Sequence, residues 1–200
     1  MTDLRGVLDT AFVYDLFRAL VRHKRGRGRI ARYIQAGPGT RVLDIGCGPA
    51  SVRSDLPDVD YVGLDDNPRY LAAARRKFGD RVTLFRARLG HDVIPDLGKF
   101  DVVFAVGVLH HLTDDEAVAL FEVAKSALRP LGHFVSVDAC WAEGQSWLAR
   151  AFIALDRGRF VRTADGYSAL GARVFRTCTA ELRHDLLRIP YTHLILSCRP

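Results

Sequence analysis

The stretch RVLDIGCGPA, residues 41–50, decides the fold of this 200-residue chain. Its first half is a short apolar run of the kind that forms a buried parallel strand. Gly46 and Gly48 then interrupt the run, which is typical of a tight turn. Because glycine has no side chain, backbone amides in such a turn can approach a ligand closely. The stretch therefore predicts a strand that ends in a ligand-binding turn.

A second apolar run, residues 61–64, is typical of the next strand and ends at Asp65. Parallel strands that are neighbours in a sheet bring their carboxyl ends to the same edge, so Asp65 is expected beside the glycine turn. A carboxylate at that place can accept hydrogen bonds from both hydroxyls of a ribose. The two runs together predict a cofactor that contains a nucleoside.

The turn favours one kind of nucleotide over another. The dinucleotide fingerprint requires a third glycine or an alanine at the position of Ser51. Asp44, two residues before Gly46, would repel a pyrophosphate but could orient a bound ammonium group. The turn therefore favours a zwitterionic ligand that carries positive charge.

These residues resemble the class I S-adenosylmethionine-dependent methyltransferases, whose first motif is an acid before a glycine-rich turn and whose second is an acidic strand end. Residues 100–105 resemble the fourth strand of that family and residues 106–112 the loop after it, while residues 127–135 resemble its helix exit, turn and fifth strand. The resemblance runs in unbroken order from about Gly39 to about Asp138.

The resemblance implies an α/β fold: a Rossmann-like, doubly wound, seven-stranded sheet, mostly parallel, with an antiparallel C-terminal hairpin and helices on both faces. It implies a single domain over residues 1–200. The expected parts are an N-terminal helical cap (1–36), a cofactor-binding core (37–140), a substrate-side cover (141–172) and the closing hairpin (173–200).

Periodicity and capping residues place the other elements. Apolar spacing predicts helices over residues 9–22, 30–35 and 142–155, and strands within 174–182 and 191–197. Asn67 is the expected cap of a helix that reaches residue 78. Thr113 and Glu116 predict a capping box at the start of a helix over 113–128.

By the same resemblance the cofactor is S-adenosyl-L-methionine. Its expected contacts are Asp44, Gly46, Cys47, Gly48, Asp65, Asp66, Asn67, Ala87, Arg88, Leu89, Ala105 and Val106. Cys47 is expected there as a small residue that fits the turn and not as a nucleophile.

Two positions depart from the family pattern. Ala50 stands where the family usually has a glycine, and Arg86-Ala87-Arg88 stands where an acid usually holds the adenine amino group. A guanidinium group cannot accept a hydrogen bond from an amino group. Backbone groups of residues 87–89, or the side chain of His91 or Asp92, are then the candidates for binding adenine.

Methyl transfer requires the acceptor to be aligned, water to be excluded and, for some acceptors, a proton to be removed. His110 and His111 follow the fourth predicted strand and are the candidate bases, with His111 the first to mutate. In many members of the family this pair instead shapes the loop or contacts the cofactor. Tyr14, Asp138 and Trp141 are candidates for the substrate side, whereas core packing and a helix lying over the sheet are the structural alternatives.

Composition limits the cellular setting. The sequence has neither an N-terminal signal peptide pattern nor an apolar run of membrane-spanning length, so a cytoplasmic enzyme without a membrane span is expected. The four cysteines are scattered without CxxC spacing, which suits a reducing cytoplasm, and no metal site is expected.

Basic residues are concentrated in the flanks of the chain, most densely over residues 22–32, which hold six cations and no acid. A solvated surface, an anionic or carrier-linked small substrate, and nucleic acid are the three interpretations. No nucleic-acid module is recognisable, and residues 108–111 lack the Asn/Asp-Pro-Pro-aromatic sequence of base-amine methyltransferases, so a small-molecule substrate is favoured.

The sequence therefore predicts a methyltransferase that acts on a small molecule, with oxygen slightly favoured as the acceptor atom. One alternative is an RNA or protein methyltransferase that docks through its basic flanks, and another is a non-catalytic protein that binds the cofactor. The oligomeric state is left open.

Overall fold

The computed structural model describes residues 30–87, 97–155 and 158–200. Within these ranges the strands are β1 (Arg41–Ile45), β2 (Asp60–Asp65), β3 (Thr83–Arg86), β4 (Phe100–Val106), β5 (Leu128–Trp141), β6 (Arg162–Thr163), β7 (Thr177–Arg183) and β8 (His193–Arg199). The helices are α1 (Pro68–Phe78), α2 (Asp114–Ala127), α3 (Trp147–Leu155) and α4 (Ala164–Ala172). Residues 30–34 are also helical, and 3-10 turns lie at Ser51–Asp55, Gly79–Arg81 and Leu109–His111.

The strands form one sheet in the order β3-β2-β1-β4-β5-β8-β7, and the short β6 pairs with the end of β5. Strands β1 to β5 run parallel, whereas β8 is antiparallel to both β5 and β7. The Rossmann-like sheet with an antiparallel C-terminal hairpin is therefore confirmed, with β6 as an addition. The strand order reverses between β1 and β4, and ligands of such sheets bind outside the carboxyl ends of the strands at that point.

Helices cover both faces of the sheet, as predicted. On one face α2 and α4 bury Phe121 and Tyr167 against β1, β4 and β5. On the other face α1 and the helical residues 30–34 bury Leu71 and Ile34. Because side chains alternate along each strand, an apolar strand such as β4 supplies both cores at once.

The helix starts follow the capping residues. The Asn67 side chain accepts a hydrogen bond from the Arg69 amide at 3.0 Å, and Pro68 occupies the first position of α1. Thr113 and Glu116 form the expected capping box at the start of α2. The helix predicted over 9–22 lies outside the described residues, and none of the described helices is both long and apolar enough to cross a bilayer.

The predicted helix over 142–155 is shorter in the structure. It begins at Trp147, because β5 continues to Trp141 and the chain then turns through Gly144, whose φ is +71°. Its buried residues are Ala149 and Ile153, so α3 lies over the end of the sheet as a cover.

A disulfide between Cys178 and Cys198 corrects the expectation that all four cysteines are reduced. The two residues are direct partners in the antiparallel register of β7 and β8, which brings their Cα atoms to 4.2 Å. Cross-strand neighbours at that separation are within reach of a disulfide. Cys47 and Cys140 are free and buried.

Candidate active site

The turn after β1 is fixed to β2 by its backbone. The amides of Gly46 and Cys47 both donate to the carbonyl of Leu64, at 2.8 and 2.9 Å. Gly46 and Gly48 have φ values of +71° and +54°, which favour glycine. A Cβ atom on Gly48 would meet no heavy atom within 4 Å, so this side of the turn is open to a ligand.

Asp65, at the end of β2, is joined directly to that turn. Its Oδ2 accepts from the Gly48 amide and its Oδ1 from the Asn67 amide, both at 2.8 Å. A carboxylate oxygen can accept more than one hydrogen bond, so Asp65 can still bind ribose hydroxyls. The structure thus brings together Gly48, Asp65 and Asn67, and the open turn beside an acid fits a nucleoside cofactor.

Asp44 lies beneath the turn and is only 1% exposed. The Tyr61 hydroxyl donates to its Oδ2 at 2.5 Å. Burial raises the pKa of Asp44 to about 7, and the nearby charge of Asp65 adds to that rise, while the Tyr61 hydrogen bond opposes it. Its expected role toward a ligand ammonium group stays a prediction. The sequence reasoning missed Tyr61, although the β1–β2 pairing places it on the same face of the sheet as Asp44.

This buried acid predicts a pH-dependent component of stability. An Asp44 pKa that rises from about 4 when unfolded to about 7 when folded stabilises the fold fully below pH 4, and that stabilisation is lost as pH rises through 7. The stability difference between wild type and Asp44→Asn should therefore change by on the order of 4 kcal/mol across that range. Urea unfolding of both proteins from pH 4 to 8 measures it, and a constant difference would contradict the assignment.

Cys47 occupies the turn as a packing residue. Burial raises the pKa of its thiol, which disfavours the thiolate form. Its Sγ lies 2.8 Å from the position that a Cβ on Gly63 would take, so the side chain fills the space above β2. These observations agree with the expectation that Cys47 is not a nucleophile.

The adenine end of the site is only partly described. Ala87 is buried and its amide donates to the Asp65 carbonyl at 3.2 Å, while Asp66 is exposed and its carbonyl accepts from Arg86 Nε. The other candidates for this end, Arg88, Leu89, His91 and Asp92, lie outside the described residues. How adenine is bound therefore stays a prediction.

The end of β4 lies across from the glycine turn. Ala105 is buried and Val106 is half-buried, and the Gly107 amide donates to the Val137 carbonyl at 2.8 Å. The next residue, Val108, packs against the turn: its Cγ2 is 2.6 Å from where a Cβ on Gly46 would be. Val108 was not among the predicted site residues, because its contact with Gly46 depends on the β1–β4 pairing.

His110 and Asp138 form a buried pair at the carboxyl ends of β4 and β5. His110 Nδ1 lies 2.9 Å from Asp138 Oδ1, and both side chains are at most 7% exposed. The same oxygen accepts from the amides of Val108 and His110, at 3.0 and 3.3 Å. Asp138, expected on the substrate side, therefore holds the turn at Leu109–His111, while its buried Oδ2 has no hydrogen-bond partner among the described residues.

The neighbouring histidine differs from His110 in its exposure. His111 is exposed, and its ring contacts that of His110 in a tilted arrangement, with 4.2 Å between ring centroids and 44° between the ring planes. The buried His110 is held by a carboxylate, whereas His111 is accessible to a molecule outside the sheet edge. A carboxylate accepts but does not donate, so His110 Nδ1 carries a proton in this contact.

Trp141 and Tyr14 are the remaining candidates for the substrate side. Trp141 is half-buried at the end of β5, where the Arg150 guanidinium lies 5.3 Å from the centre of its ring. Tyr14 lies outside the described residues. The sequence shows Arg162 only as one of several arginines among aromatic residues, and no motif connects it with the histidine turn that it contacts. Within the described ranges no group of three His, Cys, Asp or Glu side chains could hold a metal ion.

A mostly parallel sheet with this strand order, a glycine turn after β1 and an acid at the end of β2 define a Rossmann-like nucleoside-binding fold. Residues 42–132 match the family described as "Methyltransferase domain". Residues 42–132 are therefore similar to a methyltransferase domain. Human N-acetylserotonin methyltransferase, a neighbour of the same fold, was solved in complex with S-adenosyl-L-methionine, a nucleoside cofactor that the open turn beside Asp65 fits.

Relatives with assigned names are similar only over part of their length. The chain is 34% identical over 89 residues to tRNA U34 carboxymethyltransferase of Shewanella frigidimarina, which is 42% of this chain and 27% of that protein. It is 35% identical over 107 residues to ubiquinone biosynthesis O-methyltransferase of Azorhizobium caulinodans, which is 52% of this chain and 40% of that protein. The chain thus spans less than half the length of both relatives.

A solved structure supports the fold over almost the whole chain. Mitomycin 7-O-methyltransferase MmcR superposes with a TM-score of 0.71 at 18% identity, covering 98% of this chain and 60% of that chain. At this identity the likeness concerns the fold alone, so the acceptor must be argued from the site.

Proposed function

We propose that this chain transfers a methyl group from S-adenosyl-L-methionine to a hydroxyl oxygen of a small, anionic or carrier-linked molecule. The observation that carries the proposal is the exposed His111, whose ring contacts a His110 that Asp138 holds at the carboxyl edge of the sheet. The glycine turn and Asp65 lie at the same edge and would hold the cofactor.

The residues suit an acceptor that must lose a proton. When bound, the cofactor supplies a methyl group that its sulfonium centre has already activated. A neutral amine can attack such a methyl group without a base, whereas a hydroxyl reacts best as its oxygen loses a proton. The exposed imidazole of a histidine is a side chain that can take that proton. His111 is thus the proposed proton acceptor, and His110 with Asp138 orients it.

Replacement of the proposed base tests its role in turnover. His111→Gln should lower kcat by roughly 100-fold or more, the ordinary contribution of a general base, while calorimetry shows unchanged affinity for S-adenosyl-L-methionine. His133→Gln is the matched control, because His133 lies at the opposite edge of the sheet, where its Nε2 is 3.1 Å from the Ile34 carbonyl. Full activity of His111→Gln would remove the base from the proposal.

The function itself is tested by release of S-adenosylhomocysteine over a panel of phenols, hydroxy acids and amines. Turnover confined to hydroxyl acceptors supports the proposal, and turnover confined to amines contradicts its choice of acceptor atom. Cofactor binding without turnover on any acceptor would instead favour a non-catalytic binding protein.

A second candidate is transfer to RNA, because one relative is named a tRNA-modifying enzyme and residues 22–32 are strongly basic. Binding of bulk tRNA should then fall steeply with salt and be weakened by the joint replacement of Arg25, Arg27 and Arg29 with glutamine. Equal tRNA affinity of wild type and variant would leave this candidate without support.

A further inference from the structure

The Arg162 side chain donates five hydrogen bonds within the described residues. It lies in β6, opposite Cys140 of β5, and its side chain is 11% exposed. Its Nη1 donates to the carbonyls of Leu109 and Phe160, both at 3.0 Å, and its Nη2 to the carbonyl of Leu112 at 2.8 Å. Nε and Nη2 both donate to Asp114 Oδ1, at 2.9 and 2.7 Å.

These carbonyls lie on either side of the two histidines. Leu109 immediately precedes His110, and Leu112 immediately follows His111. One planar guanidinium therefore binds the backbone before and after the pair, and it also binds Asp114, the first residue of α2. A guanidinium offers five N–H donors in a fixed arrangement, which suits such divergent acceptors.

The same segment contacts His110 in two other ways. The Phe160 amide donates to the His110 carbonyl at 3.0 Å. Gly158 lies so close to the ring that a Cβ there would be 2.4 Å from His110 Cδ2. Residues 158–162 thus lie against the His110 ring and bind the His110 backbone.

We propose that residues 158–162 form a clasp, with Arg162 as a positioning residue, that sets the position of His110 and His111 relative to the end of β4. The clasp belongs to the cover that follows β5, so it joins the cover to the proposed proton acceptor. The importance of the clasp for turnover rests on the proposed function, because that function gives His111 its role.

Arg162→Lys tests the clasp, because lysine keeps the charge but has one compact donor group and cannot bind the separate carbonyls together. We would record imidazole ¹H–¹⁵N spectra of the full chain saturated with S-adenosylhomocysteine. The His110 Nδ1–H signal should exchange with water at least tenfold faster in Arg162→Lys than in wild type. Once an acceptor is known, kcat should fall about tenfold or more, with KM for the cofactor unchanged.

A matched control and a second variant accompany this experiment. Arg150→Lys, an exposed arginine of the same cover that stacks on Trp141, should leave the imidazole signals unchanged. Gly158→Ala leaves Arg162 intact but requires the His110 ring to move, so the His110 signals should shift. If Arg162→Lys does not fold, the His110 signals of Gly158→Ala show whether residues 158–162 set the position of His110.

The outcomes separate the clasp from the proposed function. Unchanged histidine signals in a folded Arg162→Lys, or in Gly158→Ala, would overturn the clasp without affecting methyl transfer. Failure of the wild type to bind S-adenosylhomocysteine in a calorimetric titration would overturn the proposed function, and the imidazole spectra would still decide whether the clasp exists.

Discussion

Replacing Gly46 with alanine is expected to weaken binding of S-adenosyl-L-methionine by roughly 100-fold, the equivalent of almost 3 kcal/mol. It is also expected to lower the free energy of unfolding by about 2–4 kcal/mol. The φ of Gly46 is +71°, a conformation that is strained by about 1–2 kcal/mol for an L-residue. The added Cβ would also lie 2.6 Å from Val108 Cγ2, so the turn or the end of β4 must move.

Two further variants separate strain from crowding. Gly39 has a φ of +75°, and a Cβ there meets nothing within 4 Å, so Gly39→Ala introduces strain alone. Combining Gly46→Ala with Val108→Ala removes the crowding atoms and should recover part of the lost affinity. Urea unfolding and calorimetric titration with S-adenosyl-L-methionine measure both effects. Wild-type affinity of Gly46→Ala would show that the turn does not bind the cofactor.

Features with a local cause could be predicted from the sequence. The apolar run and glycines of residues 41–50 fix a strand and a turn by steric rules that act on neighbouring residues. The start of α2 follows from Thr113 and Glu116, whose side chains satisfy the first amides of the helix. The alternation of strands and helices then predicts a parallel sheet, because a helix between two strands forms a right-handed crossover that leaves the strands parallel.

Contacts between distant segments could not be predicted in the same way. Asp138 and His110 are 28 residues apart, and their contact depends on the β4–β5 pairing and on the rotamers that packing selects. The disulfide depends on register: Cys178 faces Cys198 only with the alignment of β7 and β8 that the structure has. Strand ends can be estimated from composition, but the partner of each residue cannot.

Residue type alone predicts the histidine pair as a candidate base but not the environment of each ring. The sequence predicts both His110 and His111 as candidate bases after β4, with His111 as the first to mutate. It does not show that these adjacent residues lie in different environments. The structure buries His110 on Asp138 and exposes His111, so the two residues have different chemistry available to them. The position of Arg162 was not predictable, because arginines at cover positions are usually solvated.

Removing the carboxylate of Asp138 should cause the other large effect. Asp138→Ala leaves three donors without their acceptor: the amides of Val108 and His110, and His110 Nδ1. Because the site is 1% exposed, water cannot readily replace the lost oxygen, and the free energy of unfolding should fall by about 3–5 kcal/mol. Urea unfolding measures the lost free energy of unfolding. Imidazole spectra should show faster exchange of the His110 Nδ1 proton with water than in wild type.

Asp138→Asn is the informative comparison, because its amide oxygen can still accept from the same three donors. Its NH₂ group would replace Oδ2, for which the described part of the chain offers no hydrogen-bond partner, so this variant buries a donor that has no acceptor there. Its loss of stability should therefore be about 1–3 kcal/mol, smaller than that of alanine. If alanine and asparagine destabilise the protein equally, the Oδ1 contacts contribute nothing measurable, and the turn at His110 must be held by the clasp alone.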